Sequence, residues 1–445
     1  MAHFSAPIIR ALAMFDVIDR TLHIGNVSAT ALAERYGTPL YIYDAEVIRR
    51  QIERVKKAFA GLPFRPFYAM KANSALAILD LMRGAGFGCD AVSPGEIYIA
   101  RQAGYTADNI WFTCSNVSDD DLMAIGEQQI VINVNSMSEI DRILALDLPN
   151  PIALRVNTDI GAGHHADVVT AGGGVKFGID LAEIDSARIL IEDSGRKVVG
   201  LHAHIGSGID DIAPLIESAR RLLDLSTDFP NLRWLNFGGG ISVPYAPDER
   251  EFPIDDYGAE LTRIADRLLR ARDLTAILEP GRYLVAAAGT LLARVTSRRI
   301  SGGQFWIGVD TGFNHLVRPS KYGAYHHIVN ATNCSAASLR ATFDADQMKD
   351  EVVVAGNLCE SGDVFTRTVE RRPGSETAAP HVAPRKIDRT QPGDLLAFCD
   401  AGAYGFSMAS LYNARLLPAE VIVDDGDARL IRERQTVEDL VKGMR

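Results

Sequence analysis

The sequence predicts an α/β chain in which a TIM (β/α)8 barrel is joined to a mostly antiparallel β-domain built from both chain ends. Three observations carry that expectation. Eight short β-prone runs, each ending in small or polar residues, alternate with helix-like stretches between residues 65 and 281. The alternation stops near residue 284, where extended segments separated by turn signals take over. The first 38 residues carry strand and helix signals of their own, ahead of that rhythm.

In chain order, LHIGNVS reads as a strand and ATALAERYG as a short helix. The barrel candidates are RPFYAMKAN (65–73), FGCDAVS (87–93), NIWFTCS (109–115), IVINVNS (130–136), PIALRVN (151–157), VGLHAHIGS (199–207), LRWLNFGGG (232–240) and TAILEPG (275–281). Between them, LAILDLMRGAG and DYGAELTRIADRLLRARD place apolar residues three and four apart, the period of an amphipathic helix. Eight strands with helical crossovers over about 220 residues match the count and size of a TIM barrel. A doubly wound open sheet is the alternative that strand counting leaves open. LVAAAGTLLARVTSRRI, QFWIGVD, DEVVVAGNLC, GDLLAFCDAGAY and AEVIVDDGDARLIRE then read as strands of the second domain. The expected boundaries are 39–283 for the barrel, with 1–38 and 284–445 forming the β-domain; 368–390 reads as a surface loop.

Composition narrows the function classes. With 47% hydrophobic and 23% charged residues, the chain has the balance of a globular protein. No apolar run approaches the roughly 18–20 residues of a membrane span. The stretch MAHFSAPIIRALAMFD reads as mature protein rather than a signal peptide. Five scattered cysteines form neither a disulfide framework nor a zinc ribbon, which fits a reducing cytoplasm. A formal charge of −11 argues against nucleic acid as a partner.

Barrel chemistry gathers where strands end, and there the chain offers Lys71, Asp90, His204 with Ser207, Gly238–Gly239–Gly240, and Glu279 with Arg282. Lys71 ends an otherwise apolar strand. A desolvated lysine suits Schiff-base chemistry, although a lone lysine more often only snorkels there. The glycine run lets backbone amides approach an anion, or it is simply a tight strand-to-loop turn. GAGHHA (161–166) superficially matches a dinucleotide fingerprint, but the residues after it are β-prone rather than helical, so that reading is rejected. HAH (202–204) sets two histidines on one strand face and invites a metal reading. No further histidine or aspartate follows at the downstream strand ends, and no metal is expected.

YAMKAN (68–73), HIGS (204–207), GGG (238–240), EPGR (279–282), CESGD (359–363) and GAY (402–404), in this order, resemble the fold-type III pyridoxal-phosphate-dependent decarboxylases over nearly the whole chain. The resemblance implies a cofactor, pyridoxal 5'-phosphate, held by Lys71, with His204 stacked on its ring and Asp90 orienting that histidine. Ser207, the backbone amides of Gly239, Gly240, Gly281 and Arg282, and the Tyr404 hydroxyl would bind phosphate. Glu279 would pair with the ring nitrogen, keeping the ring protonated as an electron sink. Cys359 resembles the proton donor that a partner subunit supplies, which implies a homodimer with shared sites. Glu360 would receive a distal ammonium, while Arg282, Arg318 and Tyr322 would clamp a distal carboxylate, with Tyr404 beside them. A substrate with an amino-acid group at each end follows, hence meso-diaminopimelate decarboxylated to L-lysine and CO2. The alternatives are a sister decarboxylase acting on D-ornithine, D-lysine or a carrier-bound substrate, and a catalytically silent cofactor-binding homologue.

Overall fold

The computed structural model describes residues 15–113, 115–163, 170–172, 174–339, 349–369 and 380–445. The chain divides into two compact units. One comprises Arg50–Ser242 and Phe252–Tyr283; the other comprises the described residues of Met1–Arg49, Val243–Glu251 and Leu284–Arg445.

The first unit is a closed parallel barrel. Its strands are β1 (Phe64–Ala69), β2 (Gly88–Ala91), β3 (Ile110–Thr113), β4 (Val131–Val134), β5 (Ile152–Asn157), β6 (Val198–His202), β7 (Trp234–Asn236) and β8 (Thr275–Leu278). Each pairs with its neighbours in sequence, and β8 closes on β1. Six lie inside the runs expected to be strands and β1 and β6 begin one residue earlier, and closure removes the open-sheet alternative. One layer of the interior is apolar: Phe67, Trp111, Val131, Ala153 and Ile277 cluster with Trp234. Gly88 is required there, because a Cβ on it would sit 2.5 Å from the Phe67 ring. Serine caps set the helices that follow strands: Ser93 and Ser136 accept from the amides of Glu96 and Glu139, whose carboxylates reach back to Val92 and Asn135. Those reciprocal bonds shape the loops at the strand ends where functional side chains gather.

The second unit is built on a mostly antiparallel sheet. Its long strand Gly289–Ser301 pairs with Gln304–Val309, with Leu395–Phe398 and with Leu40–Asp44. Ala419–Asp424 continues the sheet beside Leu40–Asp44 and turns back into Asp427–Arg432. Strand Leu40–Asp44 therefore belongs to this sheet, although its residues fall inside the range expected for the barrel. Buried Leu292, Val329, Ala397 and Val421 form its core with Leu32 of the N-terminal helix Ala29–Tyr36. The stretch expected to be a surface loop carries a strand, Arg385–Asp388, paired antiparallel with Lys349–Ala355. Only Ile387 and Asp388 of that strand are buried, so composition gives little sign of it. Residues 370–379 of that stretch, and His164–Ala166 of the glycine-rich cluster, lie outside the described residues.

Candidate active site

The polar ends of the barrel strands hold one connected group. Lys71 follows β1 and Asp90 lies on β2, where Ala69 and Asp90 are register partners. The Lys71 Nζ stands 3.3 Å from Asp90 Oδ2. The Asp90 side chain is buried, and its Oδ1 has no hydrogen-bond partner among the described residues. Burial and the nearby Glu279 carboxylate push the Asp90 carboxyl up to about 7, against the pull of Lys71. Near neutral pH this pair can share a proton. Asp90 was expected to orient His204; the structure pairs it with Lys71 instead, because register on adjacent strands makes them neighbours.

His204 Nδ1 accepts from the Gly239 amide at 3.1 Å, which puts its ring proton on Nε2. Burial, with the positive charges of Arg155 and Lys71, holds the His204 imidazole well below its usual pKa. The Gly239 amide, expected on a phosphate, thus has a protein acceptor in this structure. The glycines here have no room for side chains. A Cβ on Gly239 would lie 2.1 Å from the Glu279 carbonyl oxygen, and one on Gly240 would lie 2.3 Å from that of Gly206. Gly281 approaches the Ala69 carbonyl in the same way, at 3.0 Å. Arg282 donates to the Ser207 hydroxyl at 3.0 Å, which brings together two residues expected near phosphate.

Glu279 is buried just beyond β8. Its Oε1 accepts from Asn236 Nδ2 at 2.6 Å, and its Oε2 lies 3.3 Å from His202 Nε2. Burial alone would raise this carboxyl, but His202, Lys71 and His204 outweigh it and hold Glu279 below the ordinary carboxylate range. His202, Asn236 and Asn133 were not expected at the site. The alternation in HAH did mark His202 as sharing a face with His204, and the two rings lie nearly parallel, 16° apart, with centroids 6.4 Å apart.

The second unit holds the other expected residues. Arg318 and Tyr322 open and close a short helix, Arg318–Tyr322. Arg318 is buried, with its guanidinium carbon 4.2 Å from the centroid of the Tyr245 ring and its Nη1 2.8 Å from His326 Nε2. His326 Nδ1 donates to the Cys399 carbonyl at 2.9 Å, so Nε2 is left to accept from Arg318. Ser320, from the same helix, donates to the Gly362 carbonyl at 2.8 Å and so ties the helix to the CESGD loop. Buried Asp363 fixes that loop by accepting from the amides of Phe313 and Leu358 at 2.7 and 2.8 Å.

At the tip of the loop, Cys359 and Glu360 are exposed. Asn413 accepts from the Cys359 amide at 2.8 Å, and Glu360 bonds the Tyr412 phenol, raising it. Residues 410–415 alongside are exposed too. Tyr404 adopts φ +56°, a left-handed conformation uncommon for a bulky residue and enriched at functional sites. His315, in the loop before Arg318, is buried and structural: Thr311 bonds its Nδ1, and its Nε2 donates to the Leu416 carbonyl.

The family described as "Pyridoxal-dependent decarboxylase, pyridoxal binding domain" matches residues 45–286. A diaminopimelate decarboxylase of Methanothermobacter thermautotrophicus is 40% identical over 433 residues, 95% of this chain and 95% of that protein. One from Escherichia coli strain K12 is 38% identical, with 92% of this chain and 94% of that protein covered. The crystal structure of diaminopimelate decarboxylase from M. jannaschii in complex with L-lysine matches with a TM-score of 0.83 at 33% identity, over 98% of both chains.

Proposed function

The chain belongs to the pyridoxal-dependent decarboxylase family, and on that premise we propose that it decarboxylates meso-diaminopimelate to L-lysine and CO2 with pyridoxal 5'-phosphate as cofactor. The observation that carries the reading is the cluster at the barrel's strand ends: Lys71 on a buried acid, Glu279 held anionic, and Ser207 with Arg282.

That cluster fits the cofactor. A buried carboxylate suits a protonated ring nitrogen, and the Ser207 hydroxyl beside close-packed glycine backbone suits a phosphate. When bound, pyridoxal phosphate supplies an electron-poor ring that takes up the electron pair left by CO2 loss. Lys71 is the amine that holds the cofactor, and Asp90, titrating near neutrality, can take the ammonium proton and leave that amine nucleophilic. Glu279 keeps a proton on the ring nitrogen, and His204 presents its imidazole to the ring face. Ser207, the amides of Gly240, Gly281 and Arg282, and the Tyr404 hydroxyl bind phosphate. Gly239 contributes chiefly by fixing His204.

For the substrate, Arg318 and Arg282 with Tyr322 receive the distal carboxylate, and Glu360 receives the distal ammonium. Cys359 donates the proton that replaces CO2. Its exposure together with Glu360 favours a homodimer in which this loop serves a second copy's site. Among the described residues four cysteines are unbridged, which favours a cytoplasmic setting, and no helix is long and apolar enough to cross a membrane. A panel of meso-diaminopimelate, L-lysine, L-ornithine, D-ornithine and D-lysine, followed by CO2 release, tests the assignment. Turnover of diaminopimelate well above the rest is expected; preference for a mono-carboxylate diamine acid would overturn the substrate while leaving the decarboxylase.

A further inference from the structure

We propose that His202 is a positioning residue for Glu279, its Nε2–H fixing the carboxylate that faces the cofactor's ring nitrogen. The inference rests on the reading of Glu279 given above and adds a residue to it. His202 lies on β6, two strands from Glu279, and both side chains are almost fully buried. His202 Nε2 lies 3.3 Å from Glu279 Oε2, an ion-pair distance without the alignment of a hydrogen bond; an ionised carboxylate only accepts, so a neutral ring is best placed with its proton on this nitrogen.

The other side of the ring accommodates the same tautomer. Asn133 Nδ2, on β4, lies 2.5 Å from His202 Nδ1, and the same amide donates to Thr113 Oγ1 on β3 at 3.1 Å. With the ring proton on Nε2, His202 Nδ1 is the bare lone pair, and it accepts from the Asn133 amide. Burial keeps the ring below its usual pKa despite Glu279, so it stays neutral with its single proton on Nε2. Asn236 holds the other carboxylate oxygen and is itself fixed by accepting from the Gly238 amide at 2.9 Å. Side chains from β6 and β7 thus meet one carboxylate, with Asn133 of β4 and Thr113 of β3 standing behind the histidine.

A histidine serving only as core filler would tolerate an apolar replacement of similar size. A histidine positioning Glu279 would not. Without the Nε2–H, the buried carboxylate loses one of the two side-chain N–H groups that face it, and desolvation then favours its protonated form. A neutral Glu279 cannot hold a proton on the ring nitrogen.

The test uses holoenzyme loaded with pyridoxal phosphate labelled with 15N in the ring, read by NMR at pH 7.5. His202→Leu should move the ring nitrogen from the protonated toward the unprotonated range. It should also lower kcat roughly ten- to a hundredfold with little change in KM, as expected when a buried charge loses a polar N–H partner. His202→Asn, a small polar replacement whose amide reaches only the Nδ1 position, should behave like His202→Leu and covers the case in which the leucine variant does not fold. His202→Gln, which can place an N–H at the Nε2 position, should restore the protonated signal. Glu279→Gln separates the role of Glu279 from that of His202. If it leaves the nitrogen signal unmoved, the reading of Glu279 fails. If it moves the signal while His202→Leu and His202→Asn do not, the role of His202 alone is wrong.

Discussion

The two units treat their functional residues in opposite ways. In the barrel, Lys71, Asp90, His204, Glu279, Ser207 and Arg282 stand among one another, each tied to a neighbour within the same unit. In the β-unit, Arg318 is sunk beneath Tyr245 and His326, whereas Cys359 and Glu360 sit exposed at the end of a loop. A cofactor pocket can be assembled inside one unit because parallel strands deliver all their C-terminal ends to one place. A residue that donates a proton from an exposed loop tip gains a desolvated setting only when something else covers it. The difference teaches that binding the cofactor and completing the reaction make separate demands on the chain, and variants can break them apart.

The largest effect is expected from removing either side's central group. Lys71→Ala and Cys359→Ala should each lose activity, but for different reasons. The lysine variant should no longer yield a borohydride-trapped cofactor adduct, while the cysteine variant should bind and trap cofactor normally. Mixed and allowed to exchange, the two inactive chains should recover about a quarter of the wild-type sites. Half of the dimers are then mixed, and each mixed dimer has one intact site if Cys359 serves the opposite copy. No recovery, with exchange demonstrated by mass spectrometry, would assign the cysteine to its own chain.

A graded effect is expected from Arg318→Met. Removing one partner of a buried charge pair costs roughly 2–5 kcal/mol, or about thirty- to several-thousand-fold in specificity. The loss should fall on meso-diaminopimelate and hardly touch L-lysine or L-ornithine, which lack the distal carboxylate. The ratio of kcat/KM values across the three substrates is the measurement; an equal loss on all of them would make Arg318 a packing residue of its helix.

Much of this arrangement is legible before any coordinates. The eight barrel strands are visible because each is a β-prone run ending in residues that a buried strand would not carry. The site residues are visible because those endings are where a barrel keeps its chemistry. Strand Leu40–Asp44 is different: LYIYD would suit either sheet, and only its distant partners, Gly289–Ser301 and Ala419–Asp424, decide the matter. Arg385–Asp388 is hidden by its charge and shortness. Asp90 shows where local reading stops, since its position at a strand end is plain but its partner depends on register with β1. His202 shows it again. Alternation sets it beside His204, but the carboxylate it meets is contributed from 77 positions further along, across an intervening strand.

The smallest effects lie in stability, and there the two units should respond to pH with opposite sign. Asp90 titrates near 7 in the folded cofactor-free protein, well above the roughly 3.9 of an unfolded aspartate. The folded state therefore binds the proton more tightly. The stability linked to this group is fully present below the unfolded value and is lost as pH rises through about 7. Asp90→Asn removes that loss, so its melting temperature should exceed that of wild type at pH 8, with a smaller excess at pH 5. His315 in the β-unit is the reverse case. Burial lowers it to about 4, below the roughly 6.5 of an unfolded histidine. Its stability is present above the unfolded value and lost as pH falls from about 6.5 through 4. His315→Gln, which cannot titrate and can still donate to the Leu416 carbonyl, should melt with a shallower acid dependence over that window. Thermal melts of the cofactor-free proteins across pH 4–8 check both. Parallel rather than opposed changes in slope would mean that neither buried group governs the acid response of its unit.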